Sequence, residues 1–310
     1  MIVLDNFFDD IIEYPTAVTI GKFDGFHRGH ELLLEKIENK TDSDPAIKSL
    51  VVTFSISPRI KLGDNLNKNL ITDEERKIYL EDRGIDYLLE CTFDNKFMKT
   101  LPEEFIKILS TNFNMKYLAV GSDFKFGYKG IGNADFLKEK AAEYNYKVEV
   151  IEKLKSDGRD ISSTYIRQEI LDGNVEKADA LLGYPYFIFG EIVHGNRIGT
   201  KIGVPTINQI PPDSKLLPSN GVYVTEVILD HKLYHGVTNI GFRPTVNDNK
   251  GLTVETNLLD FDDSNVYDRY AKVIFSKKLR PEIKFTSLDK LAEQIRIDRK
   301  QAIDYYGLTL

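Results

Sequence analysis

From the N-terminus to Gly183, short runs of β-branched and aromatic residues alternate with amphipathic stretches. The runs are Thr16–Ile20, Leu50–Ile56, Tyr87–Phe93, Tyr117–Val120 and Lys147–Ile151. Between them, mixed polar and apolar stretches near 30–38, 73–83, 102–112 and 135–144 predict helices, and two more follow near 164–172 and 175–182. Strands that alternate with helices of this length predict βαβ crossovers and a parallel sheet. After Gly183 the rhythm changes. Phe187–Val193, Val222–Leu229, Leu233–Ile240, Leu252–Leu258 and Ala271–Phe275 follow one another with turn residues and no helices between them. That pattern predicts an antiparallel sheet or barrel. One long amphipathic stretch, Ser287–Tyr306, closes the chain. The expected division is 1–183 and 184–310.

Charge supports that division. Residues 1–183 hold 25 basic and 33 acidic side chains, whereas 184–310 hold 16 and 15. The whole chain, 310 residues with a formal charge of −7, is too acidic for bulk-charge binding of nucleic acid. Two domains is the ordinary expectation at this length. A single cysteine, Cys91, excludes an internal disulfide and fits a reducing cytoplasm. The N-terminus has no basic run of the kind that opens a signal peptide. The uncharged apolar stretches are far shorter than the ~20 residues a membrane helix needs. The sequence thus predicts a soluble, cytoplasmic protein with no membrane and no nucleic-acid partner.

The first chemistry-bearing stretch is Gly21-Lys22-Phe23-Asp24-Gly25-Phe26-His27-Arg28-Gly29-His30, set between a strand and the helical ELLLEKIE. A glycine turn at a helix start lets backbone amides approach an anion. His27 and His30, three apart, share one side of the first helical turn. The plainer account is a βα turn with two surface histidines. A zinc pair would want further Cys or His ligands, and none lies nearby. Asp24 is either a substrate contact or a turn-former. Ser162-Ser163-Thr164 with Arg167 brings hydroxyls and a guanidinium to another helix start, where an ordinary N-cap is the alternative. No GxxxxGK[ST] occurs, which excludes a P-loop.

In the β-rich part, Gly195, Gly199 and Gly203 recur every four residues before Pro205-Thr206-Ile207-Asn208. Glycine-rich loops beside a strand suit phosphate. Thr206 and Asn208 point the same way in an extended segment and offer hard oxygens suited to Mg²⁺. Glu255 sits inside an apolar strand pattern, with Asn257 two residues on and therefore on the same face.

GKFDGFHRGH resembles the opening of the bacterial riboflavin kinase/FMN adenylyltransferase (FAD synthetase) family. Thr53–Pro58, Gly121–Gly127 and the ISSTYIR of Ile161–Arg167 are similar to further elements of that family. So are PTIN, Gly221-Val222-Tyr223, Gly236–Thr245 and Val254–Phe261. The resemblance runs from about 16 to 303 and implies a Rossmann-like nucleotidyltransferase domain followed by a riboflavin kinase barrel with a C-terminal helix. It implies ATP at Gly21, Lys22, Phe23, Asp24 and Gly29, and FMN near Asp123 and Phe126. Ser162, Ser163 and Thr164 would hold phosphates, with His27, His30 and Arg167 stabilising charge. In the kinase it implies phosphate binding at Gly195, Gly199 and Gly203, Mg²⁺ at Thr206 and Asn208, and Glu255 as base, with Asn257 beside it holding the carboxylate or the flavin. Three residues depart from the family pattern. Ser57 and Asn257 stand where His is common, and Thr200 where Arg is common.

The reading that follows is a bifunctional enzyme that phosphorylates riboflavin and then adenylylates FMN, with flavoproteins as recipients of its products. Two alternatives stand beside it. One is a single-activity FAD synthetase with a weak or inactive kinase domain, and the other is a flavin-responsive regulatory protein.

Overall fold

The computed structural model describes residues 1–55, 67–194, 206–242, 252–259, 261 and 266–309. They form two compact units. The first holds the described residues up to 55 and those from Ile71 to Ser163. The second holds 67–70 and those from Thr164 onward.

The first unit is built on a sheet of six parallel strands: β1 (Ile2–Leu4), β2 (Thr16–Ile20), β3 (Lys48–Ser55), β4 (Tyr87–Thr92), β5 (Met115–Gly121) and β6 (Lys147–Ile151), in the order β1-β4-β3-β2-β5-β6. Helices α1 (Arg28–Ser43), α2 (Asp73–Asp82), α3 (Asn95–Lys99), α4 (Pro102–Thr111) and α5 (Ala134–Lys140) connect them. All five residues of β2 are buried, as a central parallel strand covered on both faces requires. The strand order reverses at β2, which pairs with β3 on one side and β5 on the other. A crevice at the carboxyl ends of the strands on either side of such a reversal is the usual ligand site of an open α/β sheet. A two-stranded hairpin, β7 (Lys155–Ser156) and β8 (Arg159–Asp160), follows β6.

The second unit begins with α6 (Ser163–Asp172), whose first residue belongs to the first unit, and α7 (Val175–Leu182). Six antiparallel strands follow: β9 (Phe187–Glu191), β10 (Thr206–Gln209), β11 (Gly221–Leu229), β12 (Lys232–Phe242), β13 (Leu252–Leu258) and β14 (Tyr270–Arg280). Their order is β10-β13-β12-β11-β14-β9. A bridge between Val193 and Asn208 and a bond from Gln209 Nε2 to the Gly190 carbonyl, 2.7 Å, join the two edges of the order, so the sheet curls on itself. Thr225, Thr238 and Thr256 link three neighbouring strands through buried hydroxyls at 2.7 and 2.8 Å. The last helix, α8 (Leu288–Tyr306), is capped by Ser287. Among the described residues, no helix is long and apolar enough to cross a membrane.

Segment 67–70 was not expected in the barrel unit. Its ladder partner is the chain around Lys215, far away in sequence.

Candidate functional sites

In the first unit, a cavity of about 380 Å³ opens at the carboxyl edge of the parallel sheet. Its walls come from the ends of β2 (Ile20), β3 (Phe54), β5 (Gly121) and β6 (Ile151), which places it at the strand-order reversal. Among its lining residues are Gly21, Lys22, His27, Gly29, His30, Asp123 and Ser162. The motif residues that the sequence pointed to therefore converge on one space.

The two histidines stack, with ring centroids 3.8 Å apart and planes 15° apart. His27 is the N-cap of α1 and makes no side-chain cap bond. The Nδ1 atoms of both rings are buried without a partner among the described residues. Burial lowers the His27 pKa to about 4, against the opposing pull of its own backbone, Asp24 and Asp123. Burial first, and then the neighbouring His27, hold His30 well below the usual histidine range. Both rings are therefore neutral at pH 7. Gly29 leaves room beside them. A Cβ there would stand 3.3 Å from Cε1 and Nδ1 of His27, tighter than ordinary contact.

The glycine turn is held from several sides. Gly21 N donates to the Val52 carbonyl at 3.1 Å, and Thr53 Oγ1 donates to the Lys22 carbonyl at 3.2 Å. Ser163 Oγ donates to the Asp24 carbonyl at 2.7 Å. Asp24 itself is buried, 3.7 Å from the Lys22 ammonium. Phe23 and Phe26 adopt positive φ, 45° and 20°, a region that bulky residues seldom occupy. A column of rings supports them. Tyr79 stacks on Phe26 at 4.7 Å, Phe26 on Phe23 at 5.5 Å, and Phe23 meets His30 edge-on at 5.1 Å. The Tyr79 hydroxyl donates to Glu31, which Arg83 holds at 2.5 Å, while Arg83 also grips Glu38 with two bonds of 2.8 Å.

A second cavity, about 460 Å³, adjoins the first and shares Phe54 and Lys125 with it. Its walls are mainly Phe93, Phe97, Phe105, Phe126 and Tyr128. Sequence reasoning singled out only Phe126 from this group, because the other rings come from separate elements. Asp123, in the wall of the first cavity, is exposed and pairs with Lys153 at 2.7 Å.

Thr164 and Arg167 fall in the second unit. Thr164 is exposed, whereas Arg167 is buried and donates Nε to the Lys68 carbonyl at 2.8 Å. In the curled sheet, register brings the kinase candidates together. Asn208 lies opposite Glu255 and Thr206 opposite Asn257, while Asn239 faces Glu255 from the other side. Thr206, Glu255, Asn257 and Asn239 line a cavity of about 270 Å³, with Val222, Val237, Ile283, Phe285, Leu291 and Ile295 as apolar walls. Helix α8 supplies part of that wall and fastens to the sheet. Arg280 donates to buried Asp298 at 2.9, 3.3 and 2.7 Å, and Arg299 donates to the Asn257 side chain and to the Leu259 carbonyl at 3.1 Å. Asn239 was missed in the sequence, because only strand pairing sets it beside Glu255. Ile56–Pro58, Gly195, Gly199, Thr200, Gly203, Arg243–Thr245 and Asp260 lie outside the described residues.

Comparison with known proteins matches two families along the chain. A family model for FAD synthetase matches residues 10–165 and one for riboflavin kinase matches residues 182–306. The chain is 37% identical over 298 residues to a bifunctional riboflavin kinase/FMN adenylyltransferase of Escherichia coli (strain K12), covering 94% of this chain and 93% of that one. It is 34% identical over 300 residues to the protein of the same name from Bacillus subtilis (strain 168), covering 94% and 93%. A crystal structure described as a macrolide-efflux protein from Streptococcus pneumoniae is 30% identical, with a TM-score of 0.83 over 97% of this chain and 99% of that one.

Proposed function

The chain belongs to the bifunctional riboflavin kinase/FMN adenylyltransferase family and carries both activities, and from that premise we propose how its residues divide the two reactions. Residues 1–183 serve adenylyl transfer and 184–310 serve riboflavin phosphorylation. The family matches at 10–165 and 182–306 support a division near that point.

In adenylyl transfer, an oxygen of the FMN phosphate attacks the α-phosphorus of ATP. A new P–O bond forms as the bond to the β-phosphate oxygen breaks, and pyrophosphate leaves. No group on the protein need be modified, so the protein contributes alignment and charge stabilisation. ATP lies against Gly21, Lys22, Phe23, Asp24 and Gly29, with Ser162, Ser163 and Thr164 near its phosphates. His27, His30 and Arg167 meet the charge that develops. The observation that carries this reading is the stacked pair of neutral imidazoles at the carboxyl edge of the sheet, their Nδ1 atoms without a hydrogen-bond partner among the described residues. Anionic phosphates a few ångströms away would raise the imidazole pKa values and draw protons onto them. The aromatic cavity beside Asp123 and Phe126 takes the flat isoalloxazine ring of FMN, and offset ring contacts favour it there.

In the kinase site, Glu255 accepts the proton of the riboflavin hydroxyl and orients its oxygen toward the γ-phosphorus of a second ATP; a new P–O bond forms as the bond to the β-phosphate oxygen breaks, and ADP leaves. Asn257, held by Arg299, steadies the carboxylate or the flavin. Gly195, Gly199 and Gly203 cradle phosphates. Thr206 and Asn208 fit Mg²⁺ by donor chemistry. Asn208 Nδ2 turns toward the Thr206 carbonyl at 3.4 Å, leaving Oδ1 as its acceptor end. Magnesium bound there neutralises charge on the transferring phosphoryl group. We place the enzyme in the cytoplasm, with flavoproteins as the recipients of its products. The lone, buried Cys91 supports a reducing compartment.

The test is direct. Purified protein with riboflavin, ATP and Mg²⁺ is followed by chromatography of the flavins. FMN should appear first and FAD after it, and chelation of the metal should stop the phosphorylation. FAD formed from added FMN with no phosphorylation of riboflavin would favour the single-activity alternative.

A further inference from the structure

The two cavities of the first unit meet at Phe54 and Lys125, which belong to the walls of both. The Phe54 ring packs with the aromatic group, 5.5 Å from Phe97 and 6.2 Å from Phe93. Lys125 brings a cation to the same junction. The backbone is fixed on either side of it. Phe124 N donates to the Gly121 carbonyl at 3.0 Å, and Phe126 exchanges two bonds with Gly132, at 3.1 and 3.0 Å. The stem of Lys125 runs beside Gly130, where an added Cβ would meet its Cβ at 3.6 Å and its Cδ at 3.9 Å.

Three lysines line the first cavity: Lys22, Lys125 and Lys153. Two of them face carboxylates. Lys22 lies 3.7 Å from Asp24, and Lys153 lies 2.7 Å from Asp123 and 4.0 Å from Asp160. Lys125 is exposed and forms no ion pair among the described residues. The stacked histidines bring no charge of their own at pH 7. Of these groups, Lys125 is therefore the one whose positive charge is uncommitted.

With ATP in the first cavity and the flat ring of FMN in the second, the FMN phosphate has to lie where the two spaces join, because its oxygen must reach the α-phosphorus. That phosphate is an anion approaching a polyanion. An ammonium beside it offsets the repulsion, and a compact charge with three rotatable donors can follow the phosphate as the new bond forms. Riboflavin ends in a hydroxyl at the same place and gains no such attraction.

We infer that Lys125 holds the attacking phosphate of FMN at the junction of the two cavities, and is the residue through which the adenylyl-transfer site selects a phosphorylated flavin over riboflavin. This rests on the reading of the two cavities as the places of ATP and of the flavin ring.

The test uses the full chain and follows FAD formation from FMN, with lumiflavin as a competitor. Lumiflavin has the same ring with a methyl group in place of the ribityl phosphate, so it reports binding of the ring alone. Lys125→Met keeps an apolar stem and removes the charge. Its kcat/KM for FMN should fall about tenfold to a hundredfold, the usual worth of a hydrogen bond to a charged group. KM for ATP and the inhibition constant of lumiflavin should stay within about threefold, with riboflavin phosphorylation unchanged. Lys125→Arg should recover most of the loss, and Lys125→Glu should deepen it. Unchanged kcat/KM for FMN in Lys125→Met overturns the inference. So does an equal loss of lumiflavin inhibition, which marks a packing role, or a rise in KM for ATP with FMN unaffected, which gives the lysine to the nucleotide. Phe93→Ala, in the wall of the second cavity, tests the underlying reading and should weaken both lumiflavin inhibition and KM for FMN. If it leaves both at parental values, the ring does not sit there and the inference falls with that reading, an outcome distinct from failure of Lys125 alone.

Discussion

His27 and His30 lie ring on ring, 3.8 Å between centroids, His27 buried and His30 half-buried, both neutral at pH 7. In the unfolded chain a histidine titrates near 6.5, whereas His27 in the fold titrates at about 4. Between those values the unfolded chain binds a proton that the native protein refuses, so stability is lost as pH falls through that window. His30 acts in the same direction. The thermal midpoint of the parent should therefore drop more than that of His27→Asn between pH 7 and pH 4.5. A scan in which the two fall in parallel would show that this ring is not held neutral by the fold.

Tyr79 supports the same site from α2. Its ring carries Phe26, and its hydroxyl is tied to Glu31, the neighbour of His30 in sequence. Tyr79→Phe keeps the ring and loses the bond, whereas Tyr79→Leu loses both. FAD turnover should fall a few-fold in the first variant and about tenfold or more in the second, with riboflavin phosphorylation unchanged in both. Equal FAD rates in the two variants would mean that the stacked column does not position the turn.

Asp179 offers the opposite sign. Burial first, and Glu176 behind it, push its carboxyl up to about 7 from an ordinary 3.8, although the Tyr186 amide donates to Oδ1 at 2.7 Å. From 3.8 to about 7 the native state binds more protons than the unfolded chain, so stability falls as pH rises. Asp179→Asn keeps an acceptor for Tyr186 and removes the charge. Relative to the parent, its thermal midpoint should climb from pH 5 to pH 8. A flat difference would place the carboxyl in water.

The functional division proposed at 183/184 differs from the packing division at 163/164. Helices α6 and α7 pack with the barrel: Ser219 N donates to the Ile170 carbonyl at 3.3 Å, and Val175, Leu181 and Leu182 are buried. At Gly173, with φ 82°, any Cβ would stand 2.7 Å from Ser219 Oγ. Each buried Leu or Val is worth about 1.5–3 kcal/mol. A fragment of residues 164–310 should phosphorylate riboflavin and melt well above one of residues 184–310. Equal melting would show that these helices lend the barrel nothing.

Much of this was legible in the sequence. A central strand buried on both faces reads as an unbroken apolar run, and TAVTI does. Helix α1 outruns the expected 30–38 because its last turns, ENKTDS, carry no apolar residue to mark the period. Strand β1 and helix α3 are too short for periodicity to register. The motif residues Gly21, His27, His30, Asp123 and Ser162 meet in one cavity because parallel strands all end on one edge. The aromatic cavity was hidden, since Phe54, Phe93, Phe97 and Phe126 meet only through the fold. So was the pairing of Asn69 with Lys215, which no local pattern encodes.

The central claim is that one chain holds two separable reactions, with His30 in one and Glu255 in the other. The measurement is a flavin chromatogram from riboflavin, ATP and Mg²⁺ with His30→Ala and Glu255→Gln, alongside a second run that starts from FMN. His30→Ala should accumulate FMN and form FAD on the order of a hundredfold more slowly. Glu255→Gln should phosphorylate riboflavin ~10²–10⁴-fold more slowly yet convert supplied FMN to FAD at the parental rate. Loss of both reactions in either variant, or of neither, would contradict the account.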